Sequence, residues 1–202
     1  MKYPFFASFI VLCLLLMYEI HKRRNKEAKK YQDFWDEEQK ANSTRRKSLD
    51  DLNYIFIPDK LLDIAIDSSD EQLSEYKNTL LDLSKETIVN LTGFTNTELK
   101  LKYGAPNIDI LSAYDAKYTL LARTLNDFGL GLYQTGRIDD AQLVLEFAIS
   151  TNTDVSATYN TLAKIYSESS QEEKIKELIE VATNINSLMS KSIVNNLNSY
   201  LS

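Results

Sequence analysis

The chain has 202 residues, 26% of them charged, and a formal net charge of -6, which allows one domain with appendages. A single cysteine and a single histidine exclude an internal disulfide, a cysteine-only metal site and a pair of histidine ligands. Residues 1–30 hold seven basic and two acidic groups, so the remainder holds 16 basic and 27 acidic groups. A body this acidic repels phosphate backbones, and nucleic acid is not an expected partner.

Residues 1–21 are predicted to anchor the chain in a membrane. Residues 3–20 read YPFFASFIVLCLLLMYEI, and their single charge, Glu19, lies near the end. A helix of this length rises about 27 Å, close to the thickness of the hydrocarbon layer. No A-x-A-like cleavage site follows, the residues before Cys13 are too large for a lipoprotein site, and core helices are rarely apolar all round. The sequence therefore predicts an uncleaved, single-pass anchor over residues 1–21.

Residues 22–48 are predicted to form a basic juxtamembrane helix and a polar linker. Six Lys or Arg residues lie within 22–30, whereas only Lys2 and the amino terminus precede the apolar run. By the positive-inside rule, this places the protein in the cell membrane with its C-terminal body in the cytoplasm. The same body facing outward is the alternative. The basic run is expected to favour anionic lipid by about 1 kcal/mol per residue.

The juxtamembrane helix carries an aromatic stripe on one face, made of Tyr31, Phe34 and Trp35 and followed by Glu38. Trp35 would lie about 22 Å beyond the hydrocarbon edge, too far for an interfacial aromatic belt. The stripe is therefore expected to pack on the globular body or on another chain. Packing on the body is the favoured reading.

Residues 49–111 are predicted to form a helical N-terminal part of the body. The run YIFIP at residues 54–58 is β-prone and ends at a proline, but no second strong strand pattern is present to pair with it. It is expected to be a lone strand or an extended segment laid against helices. One helix is predicted from residues 68–71 to about Leu91, and a short helix capped by Thr97 follows.

A long helix is predicted from residue 108 to about Thr135. Gly129 and Gly131 lie inside it, and each costs about 1 kcal/mol relative to alanine. Such a cost suggests that another backbone comes close to the helix there. Large apolar residues recur on one face of this helix: Tyr114, Tyr118, Leu121, Leu125, Phe128 and Leu132.

The strongest pattern in the chain is an internal repeat with a period of about 34 residues. The small residues Gly129 and Ala141 allow two helices to cross closely, and Gly136 supplies the positive φ that ends a helix. The aligned pairs are Leu125 and Tyr159, Phe128 and Leu162, Gly129 and Ala163, Leu132 and Tyr166, Gly136 and Ser170, Ala141 and Ile175, Leu145 and Ile179, and Ala148 and Ala182.

The repeat resembles the tetratricopeptide repeat (TPR), most closely in residues 132–141, LYQTGRIDDA, which match the turn between the two TPR helices. The second copy is degenerate, with Ser170 at the turn, and Thr153 stands where a proline usually closes the second helix. The resemblance covers residues 122–185 and implies a superhelix of helical hairpins. A generic pair of helical hairpins is the alternative.

Two repeats alone bury too little surface, so helices are expected to cap both ends. Residues 187–201 are predicted to form the last helix, with Leu188, Ile193, Leu197 and Leu201 pointing inward. The predicted fold is thus all-α: an N-terminal single transmembrane helix followed by a TPR-like domain, with two repeats and the capping helix in residues 112–202. The overall pattern is also similar to that of small membrane-anchored bacterial proteins, which implies no mechanism.

TPR-like proteins usually hold a peptide or a partner helix on the concave face formed by the first helix of each repeat. The resemblance therefore implies a partner-binding face made of Arg123, Asn126, Asp127, Leu130, Tyr133, Asn160, Thr161 and Lys164. These side chains are mostly polar with few charges. An ordinary solvated helix face is the alternative reading of the same positions.

The expected function is non-catalytic. The sequence has no G-x-S-x-G, phosphate-loop or H-E-x-x-H motif, and Cys13 lies in the apolar run, so no enzyme activity, cofactor or metal site is predicted. A membrane-anchored scaffold or adaptor that binds a protein partner on the cytoplasmic side is expected. The alternatives are an outward-facing protein of envelope assembly and an enzyme with an unrecognised site.

Overall fold

The computed structural model describes residues 4–67 and 70–201, with side chains from residue 9 onward. Over these residues the protein is helical and contains no strand, which confirms the predicted all-α class. The helices in this part of the chain are α1 (Pro4–Asn42), α2 (Asp59–Leu62), α3 (Glu71–Leu83), α4 (Asn96–Tyr103), a 3-10 turn (Ala105–Asn107), α5 (Ile108–Gln134), α6 (Ile138–Ser150), α7 (Ser156–Glu168), α8 (Glu172–Thr183) and α9 (Ser190–Asn198).

The chain divides into two compact units. The N-terminal unit comprises Met1–Lys47 and Thr95–Ile108, and the repeat unit comprises Ser48–Phe94 and Asp109–Ser202. Each unit is discontinuous in sequence, because residues 95–108 belong to the N-terminal unit although they separate two segments of the repeat unit along the chain. The two units are described separately below.

The predicted membrane anchor falls on the start of α1, and residues 1–3 and the side chains of residues 4–8 lie outside the described part of the chain. Among the described residues, no helix is long and apolar enough to cross a membrane, so the predicted transmembrane helix is not supported.

In the N-terminal unit, α4 packs against the end of α1 through Glu38. The Glu38 carboxylate accepts hydrogen bonds from the Lys100 ammonium (2.7 Å) and from the Thr97 hydroxyl (2.6 Å). These two donors, Lys100 first, hold the pKa of Glu38 below its ordinary value. Thr97 was predicted to cap α4, but it lies inside the helix and binds Glu38. Thr95 caps the helix instead, in a capping box with Glu98.

The aromatic stripe of α1 is exposed. Tyr31, Phe34 and Trp35 are 67%, 53% and 51% exposed, and their packing on the body stays a prediction. Their rings contact one another edge to face, with centroids 5.9 Å apart for Tyr31 and Trp35 and 5.5 Å apart for Phe34 and Trp35. Of the stripe, only Glu38, its last residue, makes hydrogen bonds to α4.

The polar segment after α1, predicted to be a linker, is tied to α4 by backbone hydrogen bonds. The Lys47 amide donates to the Tyr103 carbonyl (3.1 Å), and the Ala105 amide donates to the Thr44 carbonyl (3.0 Å). Gly104, at φ +94°, meets the Arg45 carbonyl so closely that no Cβ would fit there. The segment is thus an ordered edge of the N-terminal unit.

In the repeat unit, α3 ends at Leu83 and not at the predicted Leu91. The residues that follow turn away from the helix, and Val89 forms an isolated antiparallel bridge with Tyr54. Ile88 and Val89 are buried, 1% exposed each, and so is Leu91, the predicted end of the helix, at 6%. The predicted start of α3 at Ser68-Ser69 lies outside the described residues, and Asp70 caps the helix by accepting from the Leu73 amide.

The helical hairpins α5–α6 and α7–α8 contain the same turn at equivalent positions of the repeat. Arg137 donates its amide to the Leu132 carbonyl (2.9 Å), and Gln171 donates to the Tyr166 carbonyl (2.8 Å). Gly136 has φ +78°, and Ser170 adopts the same left-handed conformation at φ +57°. The substitution of serine for glycine therefore leaves the turn geometry intact, although a side chain is disfavoured at positive φ.

The connection between the two hairpins, from α6 to α7, contains Thr153. Thr153 is buried, and its carbonyl accepts a hydrogen bond from the Tyr159 hydroxyl (3.0 Å). Burial raises the pKa of Tyr159 far above its ordinary value, so the hydroxyl stays protonated and remains a donor. This bond fixes the start of α7 after α6.

The two glycines of α5 meet side chains and not another backbone, contrary to the sequence expectation. A Cβ at Gly129 would lie 2.5 Å from Leu145 Cδ2 of α6, and a Cβ at Gly131 would lie 2.7 Å from Leu73 Cδ2 of α3. Helix α5 therefore contacts α6 on one side and α3 on another. The core between these helices is continuous, with Leu125, Phe128 and Leu145 fully buried.

Helix α9 closes the C-terminal end of the repeat unit. It is shorter than predicted, Ser190–Asn198, and its Ile193 and Leu197 are fully buried against the hairpin α7–α8. Leu188 was expected to point inward but is fully exposed, because it lies in the turn before the helix begins. Asn195 and Asn196, on the other side of the helix, are exposed.

Candidate partner-binding surface

The eight predicted partner-binding residues lie on the first helices of the two hairpins. Helix α5 carries Arg123, Asn126, Asp127, Leu130 and Tyr133, and α7 carries Asn160, Thr161 and Lys164. We call these eight residues the α5–α7 surface. Arg123 and Lys164 are exposed and the other six are half-buried, since the opposite faces of both helices form the core. The structure divides the surface into four places with different neighbours.

Asn126 joins the two helices. Its side-chain oxygen accepts a hydrogen bond from the Thr158 hydroxyl (3.1 Å), and its amide group donates to the Asp127 carboxylate (2.9 Å). Thr158 is fully buried and Asn126 is half-buried, so this bond lies at the edge of the core. Asn126 thus has a structural role at the base of the surface, and Thr158 was missed because a buried threonine in a helix has no distinctive sequence signal.

Tyr133 and Lys164 form the clearest cluster on the surface. The Lys164 ammonium lies 5.1 Å from the centre of the Tyr133 ring, and the Tyr133 hydroxyl donates to the Glu168 carboxylate (2.9 Å). Tyr133, followed by Glu168, raises the pKa of Lys164, so the lysine stays charged. Glu168 was not among the predicted site residues. Its position one turn after Lys164 on α7 was the available signal.

Asp127 and Leu130 lie beside α3, which the sequence assigned only a capping role. Together with Gln72 and Tyr76 of α3 they line a shallow cavity of about 100 Å³. The Gln72 amide donates to the Tyr76 hydroxyl (2.9 Å) at its rim. Helix α3 therefore extends the α5–α7 surface on its N-terminal side.

The C-terminal end of the chain partly covers the other side of the surface. The Tyr200 hydroxyl approaches the Asn160 carbonyl at 3.4 Å. The side-chain oxygen of Asn160 is buried and has no hydrogen-bond partner among the described residues. Thr161 is half-buried next to it. The predicted face is thus less open at Asn160 and Thr161 than at Tyr133 and Lys164.

A second polar cluster lies between α6, α7 and α8, away from the predicted surface. Glu146 accepts hydrogen bonds from the Tyr166 hydroxyl (2.8 Å) and from the Gln142 amide (2.7 Å), and Lys174 lies 3.4 Å away. Burial raises the pKa of Glu146, but the hydrogen bonds and the charge of Lys174 outweigh it, so the net pKa is lowered. These groups line a groove of about 240 Å³ whose floor includes Leu162.

Asparagines line a further cavity at the edge where the loops between hairpins meet. It has a volume of about 230 Å³. The side-chain amide of Asn90 is engaged in hydrogen bonds within the protein, since it donates to the carbonyls of Thr151 (2.9 Å) and Asn152 (3.1 Å). Over the described residues, no group of three or more His, Cys, Asp or Glu side chains is placed to hold a metal ion.

No family model matches this chain, and the comparisons with curated proteins and with solved structures find no match either. The function is therefore argued from the chain's own geometry. What that geometry defines is an all-α protein in which a helical hairpin occurs twice, with the same turn at Gly136 and at Ser170. The first helices of the two hairpins lie side by side and present the α5–α7 surface.

Proposed function

We propose that this protein is a non-catalytic, TPR-like scaffold or adaptor that binds a protein partner through the α5–α7 surface. The observation that carries the proposal is the hairpin turn that occurs twice, with Gly136 and Ser170 in the same left-handed conformation. This repetition brings α5 and α7 together, as the bond between Thr158 and Asn126 illustrates. A row of first helices is the element with which repeat proteins form extended binding surfaces.

The composition of the surface fits a protein partner. Tyr133 with Lys164 stacked on its ring offers aromatic area and a charge at one place, and aromatic and cationic side chains dominate the energetics of many interfaces. Leu130 and the cavity beside α3 add an apolar contact. The exposed Arg123 lies in the middle of α5 and can pair with an acidic group of the partner.

An enzymatic function is supported less well by the same groups. Catalytic acids and bases need a shifted pKa together with a free position next to a substrate. Glu146 has a lowered pKa, but both Tyr166 and Gln142 donate to its carboxylate, and Lys174 lies beside it. We therefore interpret this cluster as an internal link between the two hairpins.

The second part of the proposal is that α1 holds the protein at the cell membrane, with the body on the cytoplasmic side. Every described large apolar side chain from Phe9 to Ile20 is exposed, and six Lys or Arg residues follow within 22–30. Exposed apolar surface of this kind marks membrane or protein contacts. The alternative is the same body facing outward, in envelope assembly.

Partner binding is tested with Lys164→Ala and Tyr133→Ala in the full-length protein, captured from cells after mild crosslinking. Lys176→Ala is the matched control, because Lys176 is an exposed lysine of α8 outside the surface. We expect the same partner band with the wild type and the control, and its loss in both surface variants. A band that persists in Tyr133→Ala and Lys164→Ala would contradict the proposed surface.

Membrane attachment is tested separately, by fractionation and extraction at alkaline pH. We expect the protein in the membrane fraction, and a reporter fused to its C-terminus to be active only in the cytoplasm. Activity of a reporter that works only outside would favour the envelope alternative. Recovery in the fraction without membranes would refute this part of the proposal and leave the α5–α7 surface untouched.

A further inference from the structure

The groove between α6, α7 and α8 has an apolar floor and carboxylates at its rim. Its volume of about 240 Å³ leaves room for one large side chain of another molecule. Glu146 lies at the rim on α6 and is partly exposed, and Glu177 lies at the rim on α8 and is exposed. The apolar residues that line the groove are Leu162, Ile149, Leu178 and Val181. The groove therefore fits a ligand that is apolar at its centre and positively charged at its edges.

The two helices that border the groove are acidic. Helices α6 and α8 hold seven acidic and two basic residues. Asp139 precedes Glu146 by seven residues, so it lies on the same side of α6 and continues the rim. The cations on or next to these helices are paired with carboxylates: Lys174 with Glu146 (3.4 Å), Lys176 with Glu173 (2.7 Å) and Arg137 with Asp140. The border of the groove thus keeps an excess of negative charge.

Helix α1 carries a segment of the complementary kind. Its aromatic stripe is more than half exposed, and the basic run with six Lys or Arg residues directly precedes the stripe. Lys30 precedes Phe34 by four residues, so the two side chains are neighbours on the helix surface. Arg24 precedes Tyr31 by seven residues and lies on the same side of the helix. The stripe is therefore flanked by positive charge.

Most acidic residues of α1 lie away from the stripe or are already paired. Asp33 and Asp36 follow Tyr31 by two and five residues, which places them about 160° and about 140° around the helix from it. Glu38 is held by Lys100 of α4 (2.7 Å). The acidic residues that lie nearer the stripe are Glu27 and Glu37. A basic helix with one apolar side is the kind of segment that binds in an apolar groove with an acidic rim.

The stripe lies where another copy of the chain can reach it. Trp35 follows Ile20 by fifteen residues, about 22 Å of helix, so a membrane that holds the apolar run leaves the stripe outside. Large apolar side chains that stay exposed together mark contacts with other molecules. Every copy of the chain contains both the stripe and the groove, and their charges are opposite.

From these observations we infer that the groove between α6, α7 and α8 binds the aromatic stripe of α1 from a second copy of this chain. One ring of the stripe would enter the groove above Leu162, and Arg24 and Lys30 would meet the carboxylates of the rim. Because the two surfaces differ, the contact is head-to-tail, and a dimer keeps one free stripe and one free groove. The contact is separate from the α5–α7 surface and does not depend on the function proposed above.

The test is sedimentation velocity of the full-length protein in a non-ionic detergent over a series of concentrations. We expect dimers, and then larger species, to form as the concentration rises, and to form less readily as salt is raised. Trp35 is the single tryptophan of the chain, so its fluorescence reports directly on the stripe. Its emission should shift to shorter wavelength as the protein associates and the stripe becomes buried.

Charge reversal on either surface should abolish the association. Asp139→Lys combined with Glu177→Lys changes the rim of the groove, and Arg24→Glu combined with Lys30→Glu changes the flank of the stripe. Each double variant should stay monomeric where the wild type associates. A mixture of the two should associate again, because the unchanged stripe of the first fits the unchanged groove of the second.

The matched control is Asp51→Lys combined with Glu75→Lys. Both residues are exposed, neither lines the groove, and the change in net charge equals that of the groove variant. The control should associate like the wild type, and circular dichroism checks that every variant is folded.

Three outcomes would overturn the inference. The first is a wild type that stays monomeric at every concentration. The second is an association that all variants share, because the apolar run at residues 9–20 would then cause it. The third is a mixture of the two charge-reversed variants that remains monomeric, because the stripe and the groove would then not be the two sides of one contact.

Discussion

Gly129 and Gly131 lie two positions apart in α5, yet their replacement by alanine should change the free energy of unfolding in opposite directions. At Gly129 a methyl group would meet Cγ and Cδ2 of the fully buried Leu145 at 2.6 and 2.5 Å. Overpacking a core costs about 1–3 kcal/mol, which should exceed the roughly 1 kcal/mol that alanine gains in a helix. We expect Gly129→Ala to lower the free energy of unfolding in urea titration, and Gly129→Leu to lower it further.

Gly131→Ala is the control for this prediction. Its new methyl group would meet chiefly the end of the Leu73 side chain, which can rotate away. The gain in helix propensity should then dominate, and the stability should stay equal or rise by up to about 1 kcal/mol. If both alanine variants were equally destabilised, the contact between α5 and α6 at Gly129 would not be the reason for the lower stability of Gly129→Ala.

Glu146 should make the repeat unit sensitive to acid. Its pKa is lowered in the folded state, so its stabilising effect is complete above the ordinary glutamate pKa and is lost as the pH falls through the lowered value. The effect should stay below about 1 kcal/mol, because the side chain is partly exposed to solvent. We expect Glu146→Gln to lose less stability than the wild type between about pH 6 and about pH 3.

The measurement is urea unfolding at a series of pH values, followed by circular dichroism. Glu180→Gln, an exposed position on α8, is the control and should follow the wild type. Identical curves for Glu146→Gln and the wild type would show that the hydrogen bonds from Tyr166 and Gln142 do not favour the charged carboxylate.

At the scale of elements, α9 is the helix on which the C-terminal hairpin depends. Leu197 is fully buried, and truncating a buried leucine to alanine costs about 2–5 kcal/mol. We expect Leu197→Ala to lower the melting temperature of the repeat unit clearly. Asn196→Ala, the exposed neighbour on the same helix, should stay within about 0.5 kcal/mol of the wild type. Equal melting temperatures for the two variants would show that α9 does not cap the hairpin.

The N-terminal unit illustrates how one element can be held by few side chains. Helix α4 has eight residues, too few to be stable alone. It is stabilised by its capping box at Thr95 and by the bonds of Thr97 and Lys100 to Glu38 of α1. The polar segment after α1 adds backbone bonds at the other end of α4.

At the scale of the whole molecule, exposed apolar surface is concentrated at the start of the chain. The described residues from Phe9 to Ile20 include ten exposed large apolar side chains, whereas the core of the repeat unit is continuous and buried. Removal of residues 1–21 should therefore give a helical protein that stays in solution as a monomer or a weak dimer. Size-exclusion chromatography with light scattering measures this. Recovery only as aggregate would indicate that the first residues, or a partner, complete the core.

The sequence by itself determined the helical class and the repeated hairpin of this protein. Large and small positions that recur in register, such as Gly129 with Ala163, predict two hairpins, and both hairpins form with the same turn. The boundaries of α5 were predicted to within a residue, because the apolar stripe from Tyr114 to Leu132 continues over many turns. Periodicity is strong evidence where an element is long and one face is buried.

Only the tertiary structure decided what lies next to each element. The residues from Ser84 to Leu91 were predicted to continue α3, but the bridge between Val89 and Tyr54 and the burial of Ile88 and Val89 accompany a different conformation. The sequence could not show that Tyr200 partly covers Asn160, or that α3 borders the α5–α7 surface. Such contacts join residues far apart in the chain, and their free energy depends on packing and on hydrogen bonds that no local pattern encodes.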